Sequence, residues 1–405
     1  MASLIRSILH FFVATLQLPP PPQQLPAVAD DLLEEIFLRI GSFADLARAS
    51  TACATFRRLI ANRSFLRRYR SLHPPLLLGF LYAEPAEFQR AEAPHPNAPA
   101  AHVLACAAGF SFDYLPLGTW GRWDPCDVRD GRVLLKSIPA GYTGVVLADL
   151  AVCDPVSQEY LLLPPIPDDL LASVQVQEQN LQCFEPFLVP SGDDEDETSF
   201  EVMGRTYCAT KTVIFVFSRC SDSWIVGTST SWDALSLNLI PGDQGETYHY
   251  AYGCFFWRLG RGNKLLKLAM NKMEFSIGDL PPVHNEGRIV VAEAGDGRLA
   301  MFSQTYPGAS VYYFTSMQNE GEGAYEWQME SMIPLPSNYK CSIKGAAEGY
   351  IFLVGTSKGR DTLRAVCFSL EIKTLKIERV SRIRYGYCYF YPYFGFPPSM
   401  SPRRI

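Results

Sequence analysis

From residue 76 onward the chain breaks into short runs rich in β-branched and aromatic residues, each stopped by Gly, Pro, Asp or Asn. Residues 103–110, 132–136, 144–153, 212–218, 250–259, 298–303, 350–355 and 363–370 are such runs. Asp130-Gly131 and Asp296-Gly297, each between two of them, have the chemistry of tight hairpin turns. So many short strands make many edges, and unpaired edges invite aggregation unless the sheets close on themselves. A closed all-β arrangement is therefore the strongest constraint on the fold.

A weak repeat of strand, polar turn, strand and proline-rich exit underlies these runs. Copies lie at 152–165, 267–282, 312–336 and 367–380, with 224–241 a looser one. Turn centres fall near 154, 231, 271, 320 and 373, and three of the four intervals are 40 to 53 residues. Over 76–396 that spacing predicts a six-bladed β-propeller, with seven blades next and a pair of β-sandwiches third. The wide interval contains 166–198, a polar stretch holding Asp193-Asp194-Glu195-Asp196-Glu197, which predicts a solvated acidic loop. Residues 397–405 form a short tail.

Ahead of the strands, residues 25–72 have a different period, that of three short helices, the third carrying Phe65, Leu66 and Tyr69, so the chain is expected to be an α+β protein of more than one domain. Leu32, Leu33, Ile36, Phe37 and Ile40 form one helical stripe, and Leu46, Ala49, Cys53, Phe56 and Ile60 a second. Ser42 with Asp45, and Asn62, are candidate helix caps. A segment this short buries too little surface to be comfortable alone, so its apolar faces imply either packing on the chain or docking on a partner. Leu4, Ile5, Ile8, Leu9, Phe12, Val13 and Leu16 make a further stripe in the 1–24 tail, ahead of Pro19–Pro22. It is too short to span a bilayer and lacks a small-residue cleavage site, so a membrane role is not expected.

Leu25-Pro26, the run Asp-Leu-Leu-Glu-Glu-Ile-Phe-Leu-Arg-Ile at 31–40, Asp45-Leu46-Ala47-Arg48-Ala49-Ser50 and Phe56-Arg57-Arg58-Leu59-Ile60 resemble an F-box. With the β-rich remainder, the chain is similar to plant-type F-box proteins carrying an associated, kelch-like propeller. That resemblance implies a substrate receptor of a Skp–cullin–F-box ubiquitin ligase. Leu25, Pro26, Leu32, Leu33, Ile36, Phe37 and Ile40 would meet a Skp-type adaptor, and through it a cullin-based ligase. Leu46, Cys53, Phe56 and Ile60 would form the module's own core. Phe56 stands where the family usually has Trp, which keeps the ring and loses an N–H donor.

Nothing local signals chemistry. The six histidines lie in no metal-ligand spacing, and no P-loop, G-x-S-x-G or G-x-G-x-x-G occurs. No catalytic residue, cofactor or metal is expected. Asp124, Asp127 and Asp130 read as Asx turns leading into a hairpin. With a net charge of -6 and a pI near 5.6, nucleic acid is not an expected partner. The 11 cysteines are scattered singly, several inside apolar runs, which predicts reduced thiols and a cytoplasmic or nuclear location. Aromatics between Tyr248 and Trp257 read as β core. Tyr385, Tyr387, Tyr389 and Tyr391, at period two, form a candidate surface for a target protein of unknown identity. A glycan-binding or enzymatic propeller localised by its helical module, or a non-degradative scaffold, is the alternative function.

Overall fold

The computed structural model describes residues 30–83, 86–118, 121–139, 147–176, 180–190, 200–237, 247–260, 263–281, 288–304, 309–317, 326–358, 364–384 and 389–396. Leu25, Pro26, the 1–24 tail, the acidic run, Tyr385, Tyr387 and the 397–405 tail lie outside the described residues. The chain divides into two compact units, Met1–Pro74 and Pro75–Ile405.

The first unit holds four short helices, α1 (Asp30–Leu38), α2 (Phe43–Ala52), α3 (Ala54–Ile60) and α4 (Arg63–Leu72). Ser42 caps α2 by accepting from the Asp45 N–H at 3.3 Å, and Asn62 caps α4 by accepting from Ser64 N–H at 2.9 Å. The three helices expected here are four, because the second stripe is not one helix. The backbone is extended at Cys53, and its Sγ accepts from Phe56 N–H at 3.5 Å to start α3. Leu46, Phe65 and Tyr69 are fully buried. The Tyr69 hydroxyl donates to Ile40 O at 2.6 Å, and His73 Nε2 lies 2.8 Å from Leu38 O. These bonds occupy carbonyls that the end of α1 would otherwise leave unpaired. Arg58 reaches Asp30, and Arg68 reaches Glu34 and Glu35, as exposed pairs that add little to stability.

The second unit is a six-bladed β-propeller. It begins with β1 (Leu76–Ala83), β2 (Ala86–Arg90) and α5 (Ala98–Ala107). Blade 1 is β3 (Gly121–Arg129), β4 (Arg132–Pro139), β5 (Leu150–Asp154) and β6 (Glu159–Leu162), followed by α6 (Asp168–Ser173). Blade 2 is β7 (Cys183–Leu188), β8 (Glu201–Tyr207), β9 (Lys211–Ser218) and β10 (Ser223–Ser231). Blade 3 is β11 (Tyr248–Ala251), β12 (Cys254–Leu259), β13 (Lys264–Ala269) and β14 (Glu274–Asp279). Blade 4 is β15 (Arg288–Glu293), β16 (Arg298–Gln304), β17 (Ser310–Met317) and β18 (Gln328–Pro334). Blade 5 is β19 (Tyr339–Ala347), β20 (Tyr350–Ser357), β21 (Arg364–Glu371) and β22 (Ile377–Arg384). The last strand, β23 (Phe390–Gly395), then pairs antiparallel with β1 to complete a three-stranded blade 6 in the order β2-β1-β23.

Contacts of β23 with β3, β3 with β7, β11 with β15 and β15 with β19 place the first strand of each blade, and β23, around the axis. Each inner strand pairs on one side only. That explains why β3, β7 and β23 tolerate Pro125, Pro186 and Pro392, since an edge strand can spare a donor. The buried apolar side chains form layers between blades. Leu134, Val152, Val202 and Phe215 fill the layer between blades 1 and 2, and Phe187, Met203, Trp257 and Leu266 that between 2 and 3. Indole N–H groups stitch neighbours together: Trp224 Nε1 donates to Pro164 O at 2.7 Å, and Trp327 Nε1 to Asp279 O at 2.8 Å.

Asp130-Gly131 and Asp296-Gly297 have the positive φ expected of their turns, and Tyr252-Gly253 and Glu348-Gly349 repeat it. All four join the first and second strands of a blade and so share one rim of the ring. Three readings of the sequence are corrected. Residues 103–110 are not a strand, because α5 covers most of that run: Pro99 opens it and alanines, the best helix formers, dominate it. The stretch 166–198 is not all loop, since it holds α6 and the inner strand β7, whose Glu185-Pro186 hides the β pattern. The turn at 231 is the exit of blade 2, whose third and fourth strands instead meet at 219–222.

Candidate functional site

On the helical unit, Leu32 and Ile36 lie one turn apart on α1 with 56% and 43% of their surface exposed. Leu33 and Ile40 are half-buried beside them. Phe37, expected on the adaptor surface, is instead core: it is buried, with its ring edge-on to Phe56 at 4.9 Å and to Phe65 at 6.4 Å. Contact with two aromatic rings outweighs the stripe that the helical period assigned to it. Leu46 and Ile60 are buried and Phe56 half-buried, whereas Cys53, expected in that core, is an exposed cap.

A second candidate lies on the inner strands around the propeller axis, where the sequence had offered turns at Asp124, Asp127 and Asp130, β core at Tyr248 and Tyr250, and a surface tyrosine at Tyr391. Asp124 and Asp127 are not Asx turns; both sit buried on β3, and only Asp130 reaches the hairpin. A bulge between Pro125 and Asp127 re-aims the strand here. Asp127 Oδ1 accepts from Val128 N–H and Oδ2 from Leu188 N–H of blade 2, both at 2.8 Å. The Tyr248 phenol of blade 3 lies near this carboxylate, which adds to burial in raising the phenol's pKa. Glu185 on β7 accepts from Trp257 Nε1 at 2.7 Å and lies 3.7 Å from Arg205, whose guanidinium rides over the Trp257 ring. Tyr391 on β23 completes the set, beside Cys126, Asp127 and Glu185.

Arg129, at the end of β3, stacks over the Tyr250 ring with 5.2 Å from Cζ to the centroid. Its Nε is buried and meets no acceptor among the described residues. Burial opposes its charge, but Tyr248, Asp127, Asp130 and Glu348 around it raise its pKa on balance. Burial likewise pushes the Tyr391 and Tyr248 phenols well above their ordinary range, so both remain hydroxyl donors at neutral pH. Burial also pushes the Glu185 carboxyl up and the Arg205 guanidinium down, and their mutual attraction opposes both shifts. Tyr248, Tyr250, Glu185, Arg129 and Tyr391 are surrounded by protein yet each keeps part of its surface in water. All five belong to the inner strands around the axis.

Of the aromatic clusters, Phe255, Phe256 and Trp257 are fully buried, while Tyr248 and Tyr250, on the inner strand β11, are half-buried with their rings against Phe187 and Phe255 in the layer between blades 2 and 3. Tyr389 is 59% exposed. A cavity of about 210 Å³ between blades 1 and 2 is lined by Leu150, Leu163, Pro164, Leu171, Phe184 and Trp224 among others, room for one or two apolar side chains. Among the described residues no three His, Cys, Asp or Glu side chains are placed to hold a metal ion, and no helix is long and apolar enough to cross a membrane.

No protein-family model matches the chain, and no curated protein matches it. Among solved structures it is similar to TolB from Acinetobacter baumannii, at 8% identity over 68% of this chain and 57% of that one, TM-score 0.38. The chain therefore spans less than two thirds of TolB's own length. It is similar to the Penicillium chrysogenum alpha-L-arabinanase at 11% identity, covering 67% of this chain and 95% of that one, TM-score 0.32. For the fucose-specific lectin from Aleuria aurantia the values are 11%, 65% and 78%, with TM-score 0.35. The propeller rests on the strand pairing above, and no chemistry is carried over from these proteins.

Proposed function

We propose that the chain is a substrate receptor of a Skp–cullin–F-box type ubiquitin ligase, its helical unit docking on a Skp-type adaptor and its propeller holding a target protein. The observation that carries the reading is the pair Leu32 and Ile36, exposed side by side on α1 although Phe37 and Leu38 of the same helix are buried. Each is worth roughly 1.5–3 kcal/mol when taken out of water, which a docked partner would supply. Leu33 and Ile40 extend that face, and Leu25 and Pro26, outside the described residues, are proposed to meet the adaptor too. The mechanism is proximity: a target held near a ubiquitin-charged enzyme reacts as if at high local concentration, without a covalent step in this chain.

Replacing Leu32 and Ile36 together by Asp tests the reading. Both side chains are exposed, so the unit should still fold while binding to a purified Skp-type adaptor is lost. Unchanged adaptor binding by the folded double variant would overturn it.

A further inference from the structure

We propose that the axial channel of the propeller binds a neutral, polyhydroxylated ring, a sugar residue, through Arg129, Asp127 and Glu185 with its apolar face on the channel tyrosines. The site does not depend on whether the helical unit docks on an adaptor. Four strands from four blades bring its groups together: β3 supplies Asp127 and Arg129, β7 Glu185, β11 Tyr248 and Tyr250, and β23 Tyr391.

Counting donors and acceptors shows what the site still offers. A carboxylate has roughly four acceptor positions. Val128 N–H and Leu188 N–H take two of those on Asp127, and Trp257 and Arg205 leave some on Glu185 open. A guanidinium has about five N–H donors in a rigid fork. Arg129 faces a ring and several carboxylates at longer range, and its buried Nε meets no acceptor among the described residues. The channel thus presents unspent donors and acceptors close together.

Charge selects the ligand. Asp127 offsets Arg129, and Glu185 offsets Arg205, so the inner site sums to about zero and rewards neither a cation nor an anion. Asp130, Glu293 and Glu348 share the rim; burial and then Asp130 raise the Glu348 carboxyl pKa, Arg129 opposes them, and Glu293 adds to the rise. That rim repels anions further. Vicinal hydroxyls both give and take hydrogen bonds and match planar carboxylate and guanidinium groups, while C–H faces stack on tyrosine rings.

The test uses the full chain with free glucose, galactose, mannose, fucose and N-acetylglucosamine, glycopeptides ending in the same sugars, and glucuronate as an acidic control, read by calorimetry and ligand-observed NMR. At least one neutral sugar should bind saturably, and tighter binding of the glycopeptide than of its free sugar would identify a protein-borne glycan as the source. Arg129→Lys and Tyr250→Leu should each weaken binding by about tenfold or more, and Tyr250→Phe should retain it. No saturable binding by any neutral probe, equal binding of glucuronate, or binding indifferent to both folded variants would overturn the proposal. The comparison of neutral with acidic sugars needs no variant at all.

Discussion

His249 lies on β11 with 7% of its surface exposed, and burial alone lowers its pKa from 6.5 to about 4. The folded chain therefore refuses a proton that the unfolded chain accepts once the pH drops below about 6.5. Stability contributed by the neutral ring is complete above that value and is lost as the pH falls toward 4. The linkage amounts to about 2 kcal/mol by pH 5, since each pH unit below the unfolded value costs about 1.4 kcal/mol. His249→Gln should flatten the fall in urea-unfolding free energy between pH 7 and pH 5 by about that amount. An equal fall in the variant would place the acid sensitivity elsewhere. Asp127 shows the other use of a buried polar group at this scale, since its two backbone bonds tie blade 1 to itself and to blade 2. Phe56 needs no indole N–H because its contact with Phe37 is ring against ring.

Among the elements, the break between α2 and α3 is capped by a weak acceptor, the Cys53 thiol, 3.5 Å from Phe56 N–H. A hydroxyl is a better acceptor at a helix N-terminus and its residue has the same shape. Cys53→Ser should stabilise the helical unit by about 0.5–1 kcal/mol, read as slower hydrogen exchange of α3 amides. Faster exchange would show that the thiol packs rather than caps. The α5 segment illustrates why short apolar runs mislead. A six-residue apolar run has no period to read, and only its alanines and the preceding Pro99 mark it as helical. The Asp-Gly turns were legible because a tight hairpin demands positive φ at both residues, whereas Tyr252 and Glu348 adopt the same geometry without a residue that advertises it.

For the whole propeller, closure depends on β23 lying against β1, more than 300 residues away in sequence. Tyr393, Phe394 and Phe396 are buried there, and the Tyr393 hydroxyl donates to Gly131 O at 3.2 Å in blade 1. At roughly 1.5–3 kcal/mol each, these three side chains rival the whole net stability of an ordinary domain. Ending the chain after Arg384 should therefore open the ring, abolish a cooperative thermal transition and drive the protein into aggregates on size-exclusion chromatography. A truncated chain that stays monomeric with one sharp transition would show that five blades suffice.

Local chemistry is what the sequence settled by itself. Strand runs, Asp-Gly hairpins, the Ser42 and Asn62 caps and the blade-length repeat all follow from interactions within a few residues, and they were enough to predict six blades. The exposed pair Leu32 and Ile36 was also foreshadowed by the first stripe, though the same stripe misplaced Phe37, because periodicity assigns a face and not a neighbour. The axial cluster was hidden for a physical reason. Asp127, Glu185, Tyr248 and Tyr391 span more than 260 residues and share no spacing; the first three read as a turn, a loop and a core aromatic, and Tyr391 only as one of a row of surface tyrosines. Only ring closure sets them around one axis, where burial, mutual charge and hydrogen bonding give them a joint chemistry that none has in the unfolded chain.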